Sequence, residues 1–126
     1  MGKGYLIDSN AVIDFFNKSL PDSGKELLSN VEPIISIITL VEIFSSNKAS
    51  DDELKELKRF SEIAIIHNID RDVALIAIEL RQKYKIKLPD ALIAATAIFY
   101  KLVLITRNVS DFQKIENLEL INPHSV

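Results

Sequence analysis

The chain reads as an α/β domain built on a doubly wound parallel sheet, three layers deep, with helices on both faces. Three observations lead there. Short runs rich in β-branched and aliphatic residues recur at Tyr5–Ile7, Ile34–Ile38, Ile63–Ile66 and Leu102–Thr106. Stretches with apolar residues at helical spacing separate them. Several runs stop at a polar residue followed at once by a helix start. Strands alternating with helices imply a parallel sheet with right-handed crossovers. At 126 residues the chain is expected to form one domain, residues 1–126, large enough to bury its own core.

Tyr5-Leu6-Ile7 is the first strand, and it runs straight into Asp8, Ser9 and Asn10. Apolar spacing from Ala11 to Asn17 predicts a short helix. Pro21-Asp22-Ser23-Gly24 marks a loop, with a second helix near Lys25 to Ser29. Pro33 opens the second strand, Ile34 to Ile38, which is nearly continuous in the way of strands buried on both faces. Thr39 to Glu42 then starts a helix. The polar break from Asn47 to Asp52 leads into a charged amphipathic helix, Asp51 to Phe60, with Leu54, Leu57 and Phe60 on one side. Ile63 to Ile66 is the third strand. Asp70 or Asp72 caps a long helix through Val73, Ala77, Leu80 and Tyr84, closed by Lys85 to Leu88. Pro89-Asp90 begins the most apolar helix, Ala91 to Tyr100, with proline at a tolerated first-turn position. Leu102 to Thr106 is the fourth strand, Ser110 to Lys114 a helical turn, and Leu118 to Ile121 a short last strand.

Hydrophobic residues at 48% and charged residues at 26% describe an ordinary globular chain rather than a disordered one. The longest uncharged apolar run, Ala91 to Tyr100, falls far short of the ~20 residues that span a bilayer, so no membrane association is expected. The absence of cysteine excludes disulfide scaffolds and thiolate metal sites. His67 and His124 have no partner at ligand spacing and are expected to be packed or solvent-facing. Any metal would then be a hard ion bound by oxygen. The first residues carry no cleavable apolar segment, and a cytoplasmic protein is expected. A formal net charge of −3 is a poor footprint for gripping nucleic acid by charge alone. Such a role needs local basic groups, or cations that bridge carboxylates to phosphates.

Asp8, Glu42, Asp90 and Asp111 form the candidate site. Each has an ordinary explanation. Asp8 and Asp111 suit turns or helix caps, Glu42 completes a Thr-x-x-Glu capping box with Thr39, and Asp90 complements the dipole of its helix. Capping does not explain their common position. Asp8 follows the first strand, Glu42 the second and Asp111 the fourth, while Asp90 begins the helix that feeds the fourth. In a doubly wound sheet these places share one edge, and ligands bind where the strand order reverses. With the first and fourth strands adjacent there, the four carboxylates converge on one crevice. They cannot all stay ionised unless a cation offsets their repulsion. Mg²⁺ or Mn²⁺ takes oxygen ligands, keeps several waters and is completed by substrate phosphates. The chemistry indicated is phosphodiester hydrolysis by a metal-activated water.

Leu6-Ile7-Asp8-Ser9-Asn10, Thr39-Leu40-Val41-Glu42, Leu88-Pro89-Asp90-Ala91-Leu92-Ile93-Ala94-Ala95-Thr96-Ala97 and Leu104-Ile105-Thr106-Arg107-Asn108-Val109-Ser110-Asp111-Phe112 resemble the four signatures of PIN domains, VapC-type toxins in particular. The resemblance spans nearly the whole chain. Each signature is weak alone, but their order, their spacing and the Pro-Asp-Ala-Leu-Ile-Ala-Ala run make the set specific. It implies a sheet in the order 3-2-1-4-5, Mg²⁺- or Mn²⁺-dependent endoribonuclease activity, homodimerisation, and neutralisation by a cognate antitoxin protein. It also implies that Asp8, Glu42, Asp90 and Asp111 are the acidic, metal-holding residues. Ser9 and Asn10 match the polar pair after the first aspartate, Thr39 opens the second signature, and Thr106 and Asn108 match the polar supports after the fourth strand. Many relatives carry Asp where this chain has Asn108, which leaves Asp111 as the only carboxylate of its segment.

Arg107, beside the site, and Lys87, just before Asp90, are the candidates for contact with RNA phosphates. Arg81, Lys83 and Lys85 read better as solvated charge. Phe15-Phe16 and the Leu54, Leu57 and Phe60 stripe are expected in the core or an interface rather than stacked under bases. One competing function is a catalytically weak PIN-fold module that binds a partner protein or RNA. Another, phosphoryl transfer through an aspartyl intermediate, fits poorly: Asn10 stands two past Asp8, and Arg107 rather than lysine follows Thr106.

Overall fold

The first two strands stop where a side chain caps the next helix. In the computed structural model, which describes residues 3–126, β1 (Tyr5–Ile7) ends at Asp8, whose carboxylate accepts from Ser9 N at 2.8 Å and opens α1 (Ser9–Phe16). After α2 (Asp22–Asn30) comes β2 (Ile34–Ser36). Ser36 Oγ accepts from Ile38 N at 3.1 Å and starts α3 (Ile37–Ser45). The expected strand Ile34 to Ile38 is therefore too long. Ile37 and Ile38 are helical, because a satisfied N-cap at Ser36 outweighs their preference for strand.

α4 (Asp51–Ile63) is capped by Ser50 Oγ, 3.2 Å from Glu53 N. It runs on through Ile63, so β3 (Ile65–His67) begins later than the expected Ile63. Asp70, not Asp72, caps α5 (Arg71–Lys83), its Oδ1 accepting from Val73 N at 3.0 Å. α6 (Leu88–Tyr100) has Pro89 in its first turn and ends at Lys101, in the left-handed region with φ 57°. β4 (Val103–Ile105), α7 (Val109–Phe112) and β5 (Leu120–Ile121) complete the chain. Both of these strands are shorter than their apolar runs, and α7 lies one to two residues before the expected turn.

β1 pairs in parallel with β4, Leu6 opposite Leu104, and β4 with β5, Leu104 opposite Leu120. β2 pairs in parallel with β3, Ile35 opposite Ile66. β2 also lies beside β1, without a hydrogen-bonded ladder between them. Read across, the order is 3-2-1-4-5. Successive residues of a strand face opposite sides of a sheet, and the core divides accordingly. Leu6 and Leu104 join Val73, Ala77, Ala91, Ile93 and Phe112 on the face covered by α5 and α6. Ile7, Ile35 and Ile105 join Ala11, Val12, Ile43 and Leu57 on the face covered by α1, α3 and α4.

The alanines of α6 sit at 0% exposure, so this helix lies close on the sheet. Among the described residues no helix is long and apolar enough to cross a membrane. Leu57 is buried and Phe60 packs edge-on against Phe16 at 5.4 Å, as expected of core residues, but Leu54 is 38% exposed. His67 is packed, stacked on Tyr100 with ring centres 3.7 Å apart.

Gly24, read from the sequence as a loop residue, lies inside α2 where the C-terminal segment crosses it. A Cβ at Gly24 would stand 2.0 Å from the Pro123 carbonyl oxygen. Gly24→Ala gains up to ~1 kcal/mol of helix propensity but must displace backbone. A net loss of about 1–3 kcal/mol is expected in urea unfolding. Gly4→Ala, which meets only the mobile end of Leu102 at 2.9 Å, should lose less.

Candidate active site

Asp8 is buried at the carboxyl end of β1, at 6% exposure. Its backbone N–H donates to Ile105 O at 2.9 Å, tying it to β4. Thr106 Oγ1 donates to Asp8 Oδ2 at 2.9 Å, and Asn10 Nδ2 donates to the same oxygen at 3.1 Å. Thr106 Oγ1 in turn accepts from Asn108 N at 3.1 Å and lies 3.3 Å from Asn10 Nδ2. Asn10 Oδ1 accepts from Arg107 N at 2.9 Å. The polar residues after β1 and β4 thus form one network whose centre is the Asp8 carboxylate. Burial pushes that carboxyl up to about 6; the Glu42 and Asp90 charges add to the rise, while the Thr106 and Ser9 hydrogen bonds oppose it.

Glu42 reaches the same place from α3. Ser9 Oγ donates to Glu42 Oε1 at 2.5 Å and lies 3.3 Å from Thr39 Oγ1. The capping box expected of Thr39 and Glu42 is not formed, because the N-cap of α3 is Ser36. Thr39 and Glu42 stand one turn apart inside the helix, and their shared partner is Ser9.

Asp90 lies in the first turn of α6, half-buried. Burial raises its pKa, with the Asp111 and Glu42 charges adding to the rise and the Lys87 charge opposing it. Asp8, Glu42 and Asp90 line one open cavity of about 450 Å³, together with Ser9, Asn10, Asp14, Arg107 and Asn108. Asp111 is exposed in α7 and does not line it. Its charge contributes to the raised pKa of Asp90. Arg81, Lys83 and Lys85 do not line the cavity either. Lys83 pairs instead with Glu116 at 3.6 Å.

Asp14 escaped the sequence reading. It is 3% exposed, and Arg107 Nη1 lies 3.0 and 2.9 Å from its two oxygens. His124 Nε2 faces Asp14 Oδ2 at 2.8 Å. His124 is thus a hydrogen-bonding partner of a buried carboxylate rather than a merely packed or solvent-facing ring. A signal for Asp14 existed: it is the single charge within the apolar stretch Ala11 to Phe16. Nothing in the sequence pointed from there to His124, 110 positions away.

The carboxylates offer only oxygen donors, and burial together with neighbouring negative charge raises the proton affinity of Asp8 and Asp90. That is the chemistry of a site for a hard divalent ion. Among the described residues no three acidic or histidine side chains stand close enough together to hold a metal ion by themselves.

A fold with helices on both faces of a 3-2-1-4-5 sheet, and carboxylates gathered where its order reverses, defines a class of acidic-site α/β proteins. The model of the PIN domain matches residues 5–118, and the chain belongs to the PIN-domain family. Comparison with curated protein sequences finds no match. Among solved structures, a chain of a toxin–antitoxin complex from Klebsiella pneumoniae is 38% identical, with a TM-score of 0.78, over 98% of this chain and 100% of that one. A chain of VapBC2 from Rickettsia felis, bound to a DNA fragment from its promoter, is 30% identical, with a TM-score of 0.76, over 94% and 97%. VapBC-1 from nontypeable Haemophilus influenzae, at 23% identity, shares the fold with a TM-score of 0.77 over 94% and 97%. The likeness is thus to VapC-type PIN domains, and at the level of class the protein is a nuclease-type hydrolase.

The position of Asp8 has a consequence for stability. Its folded-state pKa exceeds the ordinary value of about 3.9, so protonation favours the folded protein. That contribution is fully present below about pH 4 and is lost as pH rises through about 6, a difference of roughly 3 kcal/mol. In EDTA, the unfolding free energy from urea titration should fall between pH 4 and pH 7. Asp8→Asn should flatten that fall. An equal fall in the variant would place its origin elsewhere.

Proposed function

We propose that the protein is a metal-dependent endoribonuclease, the toxin of a toxin–antitoxin pair, acting in the cytoplasm. The observation that carries this reading is the meeting of Asp8, Glu42 and Asp90, from three separate segments, around one open cavity with no histidine or cysteine in it. Asp8, Glu42, Asp90 and Asp111 are the residues that would hold Mg²⁺ or Mn²⁺. When bound, the ion supplies an activated water and offsets charge on the phosphoryl oxygens of the transition state.

The chain's own residues set the conditions for that step. Thr106 and Asn10 donate to Asp8 and fix the direction of its carboxylate, and Ser9 does the same for Glu42. Thr39 stands behind Ser9 and Asn108 behind Thr106. Arg107, at the cavity, and Lys87, at the N-cap of α6, draw RNA phosphates toward the acidic trio, a local answer to the unfavourable net charge.

The antitoxin part of the reading is supported by the relatives solved as toxin–antitoxin complexes, and a homodimer is part of the same proposal. Apolar side chains at the surface agree with it. Val41 of α3 is 60% exposed, and Ile78 of α5 and Leu88 of α6 are about half exposed, which suits surfaces that partner proteins cover.

Purified protein should cleave single-stranded RNA with Mg²⁺ or Mn²⁺ and stop when EDTA removes the ion. Asp8→Asn and Asp90→Asn should each lower kcat/KM by a factor on the order of 10²–10³ or more, the usual cost of losing one group that stabilises transition-state charge. Glu42→Gln should lose less. Full cleavage by both aspartate variants would overturn the assignment. Tight binding of a partner protein without any cleavage would favour the non-enzymatic module.

A further inference from the structure

Arg107 poses a problem for an acidic site. It lines the same cavity as Asp8, Glu42 and Asp90, and an unrestrained guanidinium would settle on those carboxylates and occupy the place of a divalent ion. It does not do so. Its Nη1 is held by both oxygens of Asp14, at 2.9 and 3.0 Å, and its backbone N–H is held by Asn10. Asp14 is itself immobilised. It projects from α1 into a buried position, and His124 approaches its Oδ2 from the other side at 2.8 Å. The segment that carries His124 is seated on Gly24 of α2, where a side chain would collide with Pro123. With one terminal nitrogen spent on Asp14, the side chain of Arg107 is still 51% exposed. Among the described residues its Nε and Nη2 have no hydrogen-bond partner.

We infer that Asp14 is a positioning residue that holds Arg107 off the metal-binding carboxylates and presents its free N–H groups to a phosphate of bound RNA other than the one being cleaved. This rests on the nuclease reading. It assigns Asp14 and His124 a part in substrate binding that neither would have as a purely structural contact. One carboxylate thereby keeps two opposing charges apart: the arginine serves the polyanion, and the acidic trio stays open to the cation.

The test compares the unsubstituted protein with Arg107→Gln, Asp14→Asn and the double variant, each checked for a cooperative melt by circular dichroism. Mn²⁺ binding is followed without RNA by electron paramagnetic resonance of the free ion. Cleavage of a fluorescein-labelled single-stranded RNA is followed at several KCl concentrations. Arg107→Gln should keep Mn²⁺ affinity and raise KM by about tenfold, the scale of one charge-assisted hydrogen bond. It should also reduce the slope of log(kcat/KM) against log[KCl] by about 0.7, the value of one phosphate contact on a single strand. Asp14→Asn should weaken Mn²⁺ binding about tenfold, because the freed guanidinium engages the trio. The double variant should recover Mn²⁺ binding but not KM. A loss of Mn²⁺ binding that persists in the double variant, or Asp14→Asn with unaltered Mn²⁺ binding, overturns the inference. If Asp14→Asn does not fold, the salt slope of Arg107→Gln decides, and an unaltered slope overturns it while leaving the nuclease reading intact. Unsubstituted protein that neither binds Mn²⁺ nor cleaves the RNA overturns both.

Discussion

A carboxylate buried at the end of β1 is the constraint on which the rest of the structure depends. An aspartate with so little exposure is costly to keep charged unless donors are aimed at it, and here they come from both strands at the reversal of the sheet. Ser9 N and Asn10 lie just beyond β1, and Thr106 lies just beyond β4. The parallel pairing of Leu6 with Leu104 and Ile7 with Ile105 brings those two strand ends together. The same pairing lets each strand supply one side chain to either core. Site and fold therefore share a single geometric requirement, which is that β1 and β4 be neighbours in register.

Around that centre the protein keeps its negative charges apart by using different elements to carry them. Asp8 is held by strands, Glu42 by α3 through Ser9, and Asp90 by the first turn of α6, with Asp111 on α7. Rigid elements with closely packed alanine faces fix those distances better than loops would. The one arginine at the cavity is fixed in its turn by Asp14, so the positive charge has a place of its own. The C-terminal segment enters this arrangement through His124, and Gly24 permits it to pass close enough to do so.

Much of this was legible in the chain. Each polar residue placed directly after an apolar run marked a strand end, and alternation of strands with helices implied the edge on which Asp8, Glu42 and Asp90 would lie. Errors came where local rules compete. Thr39 and Glu42 satisfy the spacing of a capping box, yet Ser36 takes the cap and leaves both free to face Ser9. Ile37 and Ile38 have strand chemistry but open a helix capped by Ser36, and Ile63 ends one whose hydrogen bonds were already under way. Gly24 and Pro21 look like loop residues, and only the passage of Pro123 explains a glycine inside α2.

By itself the sequence determined the class of fold and pointed to the strand-end carboxylates Asp8, Glu42 and Asp90 that the fold brings to one cavity. Those follow from periodicity, composition and the order of motifs, which are properties of neighbours along the chain. Only the tertiary structure decided that Asp111 stands outside the cavity, that Arg107 is turned toward Asp14, and that His124 closes on the same carboxylate. Such contacts join residues scores of positions apart, and whether they form depends on packing distances and on competition between charges, neither of which is written in any local pattern.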